Sequence, residues 1–275
     1  MRSSSDSLYF LNKCMEGSKE IMRLKDKIAI VTGSGRGIGE AIAKKLASEG
    51  ASIVVDDVRI EDAERVVHEI KKQGGKAVAS KASVNNRSEV QDLVNTALKH
   101  FNAIHILVNN AAVTRHKPLL ELTEEDWDLV LDVDLKGVFN CTQAVLKHLM
   151  EQRYGKIVNI SSLAGVGGGY DVSPNYAAAK AGVVALTKVT AREAGPYNIN
   201  VNCVAPGIIV TPLTYERRSK EQVEELLEQR KRVAVLGRVG KPEDVANLVF
   251  FLVSEDSSYM SGQILRIDGG RMDLL

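Results

Sequence analysis

The segment Ile28-Ala29-Ile30-Val31-Thr32-Gly33-Ser34-Gly35-Arg36-Gly37-Ile38-Gly39 decides the fold. A β-branched run, Ile28–Thr32, leads into a glycine cluster, and Ile38–Glu49 follows with Ile38, Ile42 and Leu46 at i, i+4 and i+8, one apolar stripe of a helix. Glycines in such a turn accept positive φ and let backbone N–H groups approach a pyrophosphate at the positive end of the helix. The candidate phosphate-facing residues are Gly33, Ser34, Arg36, Gly37, Ile38 and Gly39. Their spacing is G-x-x-x-G-x-G, which departs from G-x-G-x-x-G and lacks the Gly-Lys-Ser/Thr ending of a nucleotide-hydrolysing loop. A glycine-rich turn alone is often only a tight connection; the strand before it and the helix after it are what give this one meaning.

Outward from that loop, short β-branched runs alternate with helical patterns, as repeated β-α units around a parallel sheet require. The further runs are Ile53–Val55, Ala77–Ala79, Ile104–Asn109, Ile157–Ile160, Ile199–Ala205 and Ile264–Ile267. Most lack apolar/polar alternation, as expected when helices cover both faces. The expected architecture is α/β: a Rossmann-type, doubly wound, seven-stranded parallel sheet with helices on both faces. It forms a single domain over 24–275, preceded by an N-terminal extension, 1–23. Thr123 with Asp126 offers a near capping box for a long helix to about Met150, a second helix spans Asn175–Ala194, and Pro242 opens a late one. The second strand ends at Asp56-Asp57, where an acid accepts hydrogen bonds from an adenosine ribose. Asp57 repels a 2′-phosphate and favours NAD(H). Arg36 and Arg59 either pair with such a phosphate, which keeps NADP(H) open, or are simply solvated.

Composition narrows the partners. The 275 residues carry a formal charge of +1, with 44% hydrophobic and 26% charged, so neither nucleic acid nor an anionic membrane is an expected partner. The longest apolar stretches, around Val245–Val253, fall short of the roughly 20 residues that span a bilayer. Residues Met1–Met22 read as neither signal nor transit peptide, and an initiation site at Met22 is compatible with the pattern. Cys14, Cys141 and Cys203 form neither a C-x-x-C pair nor a disulfide framework, which fits a cytoplasmic setting. No His/Cys/carboxylate grouping has metal-ligand spacing, and His116 reads as a surface residue.

Tyr176-Ala-Ala-Ala-Lys180 places a phenol and an ammonium on one helical face. The spacing alone means little, since Tyr9 and Lys13 share it without strand or loop around them. Tyr176 stands apart by its company: Ser161-Ser162 ends a strand, and Pro206-Gly207 follows the next. With Asn109-Asn110-Ala111, Thr211 and the closing Ile267-Asp268-Gly269-Gly270, the chain from Leu24 to Gly270 resembles the short-chain dehydrogenase/reductase family. The resemblance implies hydride transfer between a nicotinamide cofactor and an alcohol or ketone carbon. Ser162 would hold the substrate oxygen, Tyr176 would pass its proton, and Lys180 would bind the nicotinamide ribose and make the phenol more acidic. Ser83 and Val84 would border the adenine, Asn110, Ala111, Pro206 and Gly207 would line the cofactor, and Ile209 and Thr211 would meet the carboxamide. A phenol ordinarily releases its proton near about pH 10, and one cation about 5 Å away at an effective dielectric of about 20 contributes on the order of 3 kcal/mol toward its release.

Three positions depart from the family pattern. Ala112 stands where a glycine is usual, Ser83 replaces an adenine-capping aspartate, and Asp134 replaces the asparagine of the proton relay. A main-chain carbonyl at 134 would preserve the relay whatever the side chain; a carboxylate reaching Lys180 would partly cancel its field at Tyr176. The stretches Asn109–Arg115 and Gly237–Asp244 look most like the 3-oxoacyl reductase branch, with Arg153 matching one of two carrier-protein docking positions and Tyr197 in the other. The implied substrates are a 3-oxoacyl thioester or a cyclic alcohol or ketone. A substrate lid is expected over about 211–232, with Val223, Leu226 and Leu227 inward. Arg217, Arg218, Lys220 and Arg230–Arg232 are a solvated face or, less simply, a site for a CoA phosphate. The resemblance implies a homotetramer; the rival reading is a cofactor-binding regulator or weakly active relative.

Overall fold

In the computed structural model, which describes residues 22–167, 172–215 and 219–271, every run anticipated as a strand pairs into one sheet. Residues 1–21 of the extension, with the Tyr9/Lys13 pair and Cys14, and also Arg217 and Arg218, lie outside the described residues. The strands are β1 (Ile28–Val31), β2 (Ser52–Asp56), β3 (Lys76–Ser80), β4 (Ile106–Asn109), β5 (Gly155–Ile160), β6 (Ile199–Pro206) and β7 (Ile264–Ile267). Their order is β3-β2-β1-β4-β5-β6-β7, and all pairings are parallel. Because β1 lies between β2 and β4, the chain winds outward in both directions, and a crevice opens at the carboxyl ends of β1 and β4.

Period-2 geometry sorts the core. Ala29, Val31, Ile53 and Val55 pack beneath α1 (Gly37–Ser48) and α2 (Ile60–Lys72). Ile30, Val54, Leu107 and Ile157 face the opposite way, toward α3 (Arg87–Phe101) and α5 (Gly137–Glu151). The helix bordering the site, α7 (Pro174–Ala194), comes after the short α6 (Ala164–Gly167); α8 (Pro212–Tyr215), α9 (Lys220–Val233) and α10 (Pro242–Val253) complete the described helices.

The helix expected from Thr123 to Met150 forms, but not uninterrupted. Thr123 Oγ1 accepts the Asp126 N–H at 3.2 Å and starts α4 (Glu124–Leu131). Residues Asp132–Lys136 then make a π turn before α5 begins. The wider turn inserts a residue into the helical register. Asp132 and Lys136 keep an exposed ion pair at 3.0 Å, while Asp134 turns fully inward, with 0% exposure.

The two acids ending β2 also separate. Asp57 continues outward to the loop, whereas the Asp56 side chain sinks under the sheet end, 1% exposed. Burial pushes its carboxyl well above the ordinary aspartate range, with partial relief from the Ala82 and Gly33 N–H groups and further upward pressure from Asp57. The folded chain therefore holds this proton more tightly than the unfolded chain, and its contribution to stability falls as pH rises from the unfolded value, about 4, through the raised folded one. Asp56→Asn keeps the shape without the charge. Thermal melts across that range should show the variant gaining a few degrees on the parent as pH increases; an unchanged difference in Tm from about pH 4 to 8 would contradict the buried-acid account.

Candidate active site

The glycine loop is built by close approach. Gly33 and Gly37 take φ of +59° and +60°, where side chains are strained. A Cβ on Gly39 would sit 2.3 Å from the Gly33 carbonyl oxygen, and one on Gly35 would sit 2.7 Å from Asp57 Oδ2. Thr32 and Asn110 tie the loop to β4: Thr32 Oγ1 accepts the N–H groups of Asn110 and Ala111 at 3.0 and 3.1 Å, and Asn110 Nδ2 donates to the carbonyls of Thr32 and Gly33 at 3.0 and 2.9 Å. Asp57 braces the other side, its Oδ2 accepting the Gly35 N–H and its Oδ1 the Arg59 N–H, both at 3.1 Å. The Arg59 guanidinium is held by Asp62 at 2.8 Å.

The second half of the site hangs on α7. Beneath it runs a buried polar chain: Asn109 Nδ2 donates to Asn159 Oδ1 at 2.8 Å, Asn159 Nδ2 to Thr187 Oγ1 at 2.9 Å, and Thr187 Oγ1 to the Val183 carbonyl at 2.8 Å. These bonds fix α7 against β4 and β5. Ser161 Oγ donates to the Lys180 carbonyl at 2.8 Å, and a Cβ on Gly165 would come within 2.5 Å of that carbonyl. Lys180 itself is 2% exposed. Its ammonium donates to the Ile160 carbonyl at 3.1 Å, lies 3.2 Å from Asp134 Oδ2 and stands 5.5 Å from the centre of the Tyr176 ring. Burial works against the ammonium, but the Asp134 charge and then Tyr176 outweigh it and hold Lys180 above its ordinary lysine value. Ser162 Oγ accepts the Ala164 N–H at 3.2 Å.

Two cavities, of about 890 and 420 Å³, share Ile38, Asn110, Ala112 and Thr211, so they form one continuous cleft along the strand ends. The larger is bordered by Ser162, Tyr176, Lys180, Pro206, Gly207 and Ile209. The smaller is bordered by Gly33, Arg36, Gly37, Asp57, Ser83, Val84 and Ala111. Thus 15 of the 17 cofactor positions anticipated from sequence, counting Tyr176 and Lys180, border the cleft, while two of the loop positions stand apart. Ser34 is fully buried and donates its hydroxyl to the Val31 carbonyl at 2.7 Å, and Gly39 packs behind the loop. Ser83 Oγ donates to Asn85 Oδ1 at 2.7 Å. Sequence reasoning missed Asn85, Val113 and Val133 in the smaller cavity, residues without any charge or glycine to mark them. On α9, two of the three residues expected on the inner side lie there: Val223 is buried and Leu226 borders the larger cavity, while Leu227 does not reach it; Gln222, Glu225 and Gln229 border it as well. The helix phase follows Val223, the anchored residue, and so turns the polar positions i, i+3 and i+7 toward the cleft. His116 is exposed, as anticipated, on the rim of the same cavity.

Among the described residues no group of three or more His, Cys, Asp or Glu side chains is arranged to hold a metal ion, and no helix is long and apolar enough to cross a membrane. A family model described as enoyl-(acyl carrier protein) reductase matches residues 33–271. The chain is 42% identical over 253 residues to a 3-oxoacyl-[acyl-carrier-protein] reductase of Thermotoga maritima, covering 90% of this chain and 99% of that one. It is 40% identical over 250 residues to a (2S)-[(R)-hydroxy(phenyl)methyl]succinyl-CoA dehydrogenase subunit of Thauera aromatica, covering 91% and 98%. Among solved structures it is similar to a putative gluconate dehydrogenase from Agrobacterium tumefaciens, with TM-score 0.86, 32% identity and coverage of 93% and 99%. A levodione reductase superposes with TM-score 0.85 at 32% identity, covering 92% of this chain and 100% of that one. The chain belongs to the short-chain dehydrogenase/reductases and is an NAD(P)-dependent oxidoreductase acting between a secondary alcohol and its ketone.

Proposed function

We propose that the chain works with NAD(H), that Tyr176 is the catalytic acid/base, and that Ser162 and Lys180 hold the substrate oxygen and the nicotinamide ribose. The observation that carries this reading is that Ser162, Tyr176 and Lys180 border one cavity that continues into the glycine-loop cleft. The residues present suit a dinucleotide: the loop admits no Cβ at Gly33, Gly35 or Gly39 without collision, and its backbone turns at the positive end of α1. When bound, the nicotinamide supplies or takes the hydride. In ketone reduction the Tyr176 hydroxyl gives its proton to the substrate oxygen while the Ser162 hydroxyl steadies the developing charge; in alcohol oxidation the phenolate takes the proton back. Lys180 brings its positive charge to within 5.5 Å of the centre of the Tyr176 ring.

For the cofactor, Asp57 faces the smaller cavity, and of the two arginines that border it, Arg36 and Arg59, the latter is paired with Asp62. A 2′-phosphate would meet an anion there. For the substrate, Gln222, Glu225 and Gln229 give α9, read as the lid over 211–232, a polar inner face that favours a compact polar alcohol or ketone. Arg230–Arg232 do not border the cavity, and Lys231 pairs with Glu228, which speaks against a CoA phosphate site there. Arg153 donates to the Pro196 carbonyl at 3.0 Å beside Tyr197, which weakens the case for carrier-protein docking. Exposed Leu120, Trp127, Phe139 and Tyr259 are the faces on which we place homotetramer contacts in a cytoplasmic enzyme. The regulator reading gains no support from the relatives.

Two measurements test these assignments. Hydride transfer followed at the nicotinamide absorbance, over a panel of secondary alcohols, cyclic ketones and 3-oxoacyl thioesters, should give turnover that Tyr176→Phe lowers by about 100-fold or more without loss of cofactor binding; a variant as fast as the parent would remove Tyr176 from the chemistry. Asp57→Ala should move the NAD/NADP ratio of kcat/KM toward NADP by about tenfold, and a ratio that does not move would show that another group sets the preference.

A further inference from the structure

The family pattern places an asparagine where this chain has Asp134, and the structure gives the carboxylate two partners from different elements. Its Oδ1 accepts the Val113 N–H at 2.8 Å, in the loop that follows β4, and its Oδ2 lies 3.2 Å from Lys180 Nζ. Asp134 has 0% exposure and Lys180 2%, so no solvent screens the pair. With one proton on the Ile160 carbonyl and the carboxylate alongside, the ammonium is left facing the cleft in one orientation. An asparagine amide would keep the Val113 bond yet bring no counter-charge.

We propose that Asp134 is a positioning residue that holds Lys180 in place across the π turn and offsets its charge, so that proton exchange at Tyr176 is set by the pair and not by a bare lysine. The proposal rests on the assignment of Tyr176 and Lys180 given above. The remaining titratable or charged groups facing them are few: Cys203 on β6 lies near Lys180, and His116 and Glu225 border the cavity from the β4 loop and α9. None is placed as Asp134 is. Burial pushes the Asp134 carboxyl up, and Lys180 and then the Val113 N–H act against that, as in an ion pair sealed from water.

The test pairs a pH profile with a thermal double-mutant cycle on the full chain. In Asp134→Asn the acid limb of kcat/KM for alcohol oxidation should move about one pH unit lower, because the lysine's field reaches the phenol undiminished. A variant whose activity changes equally at every pH, with the limb unmoved, would show a merely structural role and overturn the proposal. In melts, Asp134→Asn and Lys180→Met should each lower Tm by about 5 °C or more by leaving a buried charge unpaired, while the double variant should lose less than the two singles combined. Strictly additive losses would overturn the pairing. If Asp134→Asn does not fold, the double variant decides: recovery of the fold supports the pair, and continued failure refutes it. Absence of turnover in the parent would count against the functional assignment alone, since the melts read the pair without it.

Discussion

A buried ammonium is among the most demanding groups a fold can contain, because desolvation must be answered by charge and hydrogen bonds together. Lys180 meets that demand with the Ile160 carbonyl and Asp134, and these partners come from β5 and from the π turn, elements distant in sequence. Its own backbone carbonyl is claimed by Ser161, and Gly165 lets α6 press against α7 at the same residue. The position of one side chain therefore ties the end of β5, the start of α7 and the middle of the long helix into a common geometry.

The rest of the site follows from the parallel sheet. Parallel strands put every carboxyl end on one edge, and there Thr32, Asp57, Asn109, Ser161 and Pro206 line up at the strand ends. The Asn109–Asn159 bond joins residues that are paired in register on β4 and β5, and Thr187 extends it to α7. A polar chain inside an otherwise aliphatic layer admits few alternative packings, since a shift of one residue would strand its donors. The Gly237–Asp244 stretch is similarly structural: Asp244 accepts from Arg238 at 2.7 and 3.0 Å and from the Lys241 N–H at 2.8 Å, which shapes the start of α10.

What sequence made legible was periodicity and rigid chemistry. The β-branched runs predicted all seven strands to within two residues at each end, and the glycine loop, Tyr176 and Lys180 announced themselves through strand-loop-helix context. The π turn did not, because Asp132–Lys136 has no proline or glycine break and its residues suit an ordinary helix; only the inward pull of Asp134 toward Val113 and Lys180 distinguishes it. On α9 the apolar residues Val223 and Leu226 were legible as an inner stripe, but the polar Gln222, Glu225 and Gln229 beside them carry no apolar signal to mark them. The split between Asp56 and Asp57 was hidden as well, since adjacent strand residues point to opposite sides and a sequence does not say which side is dry.

The bonds from Thr32 and Asn110 to the glycine loop carry a last consequence. Thr32 and Asn110 hold the loop from the ends of β1 and β4 through bonds within the protein, so its shape is set by the fold itself. Such a cradle is paid for when the chain folds, not when a ligand arrives. A ligand that enters such a cleft meets a floor that needs no reordering, and the charge it encounters is set at the rim, where Asp57 and Ser83 stand.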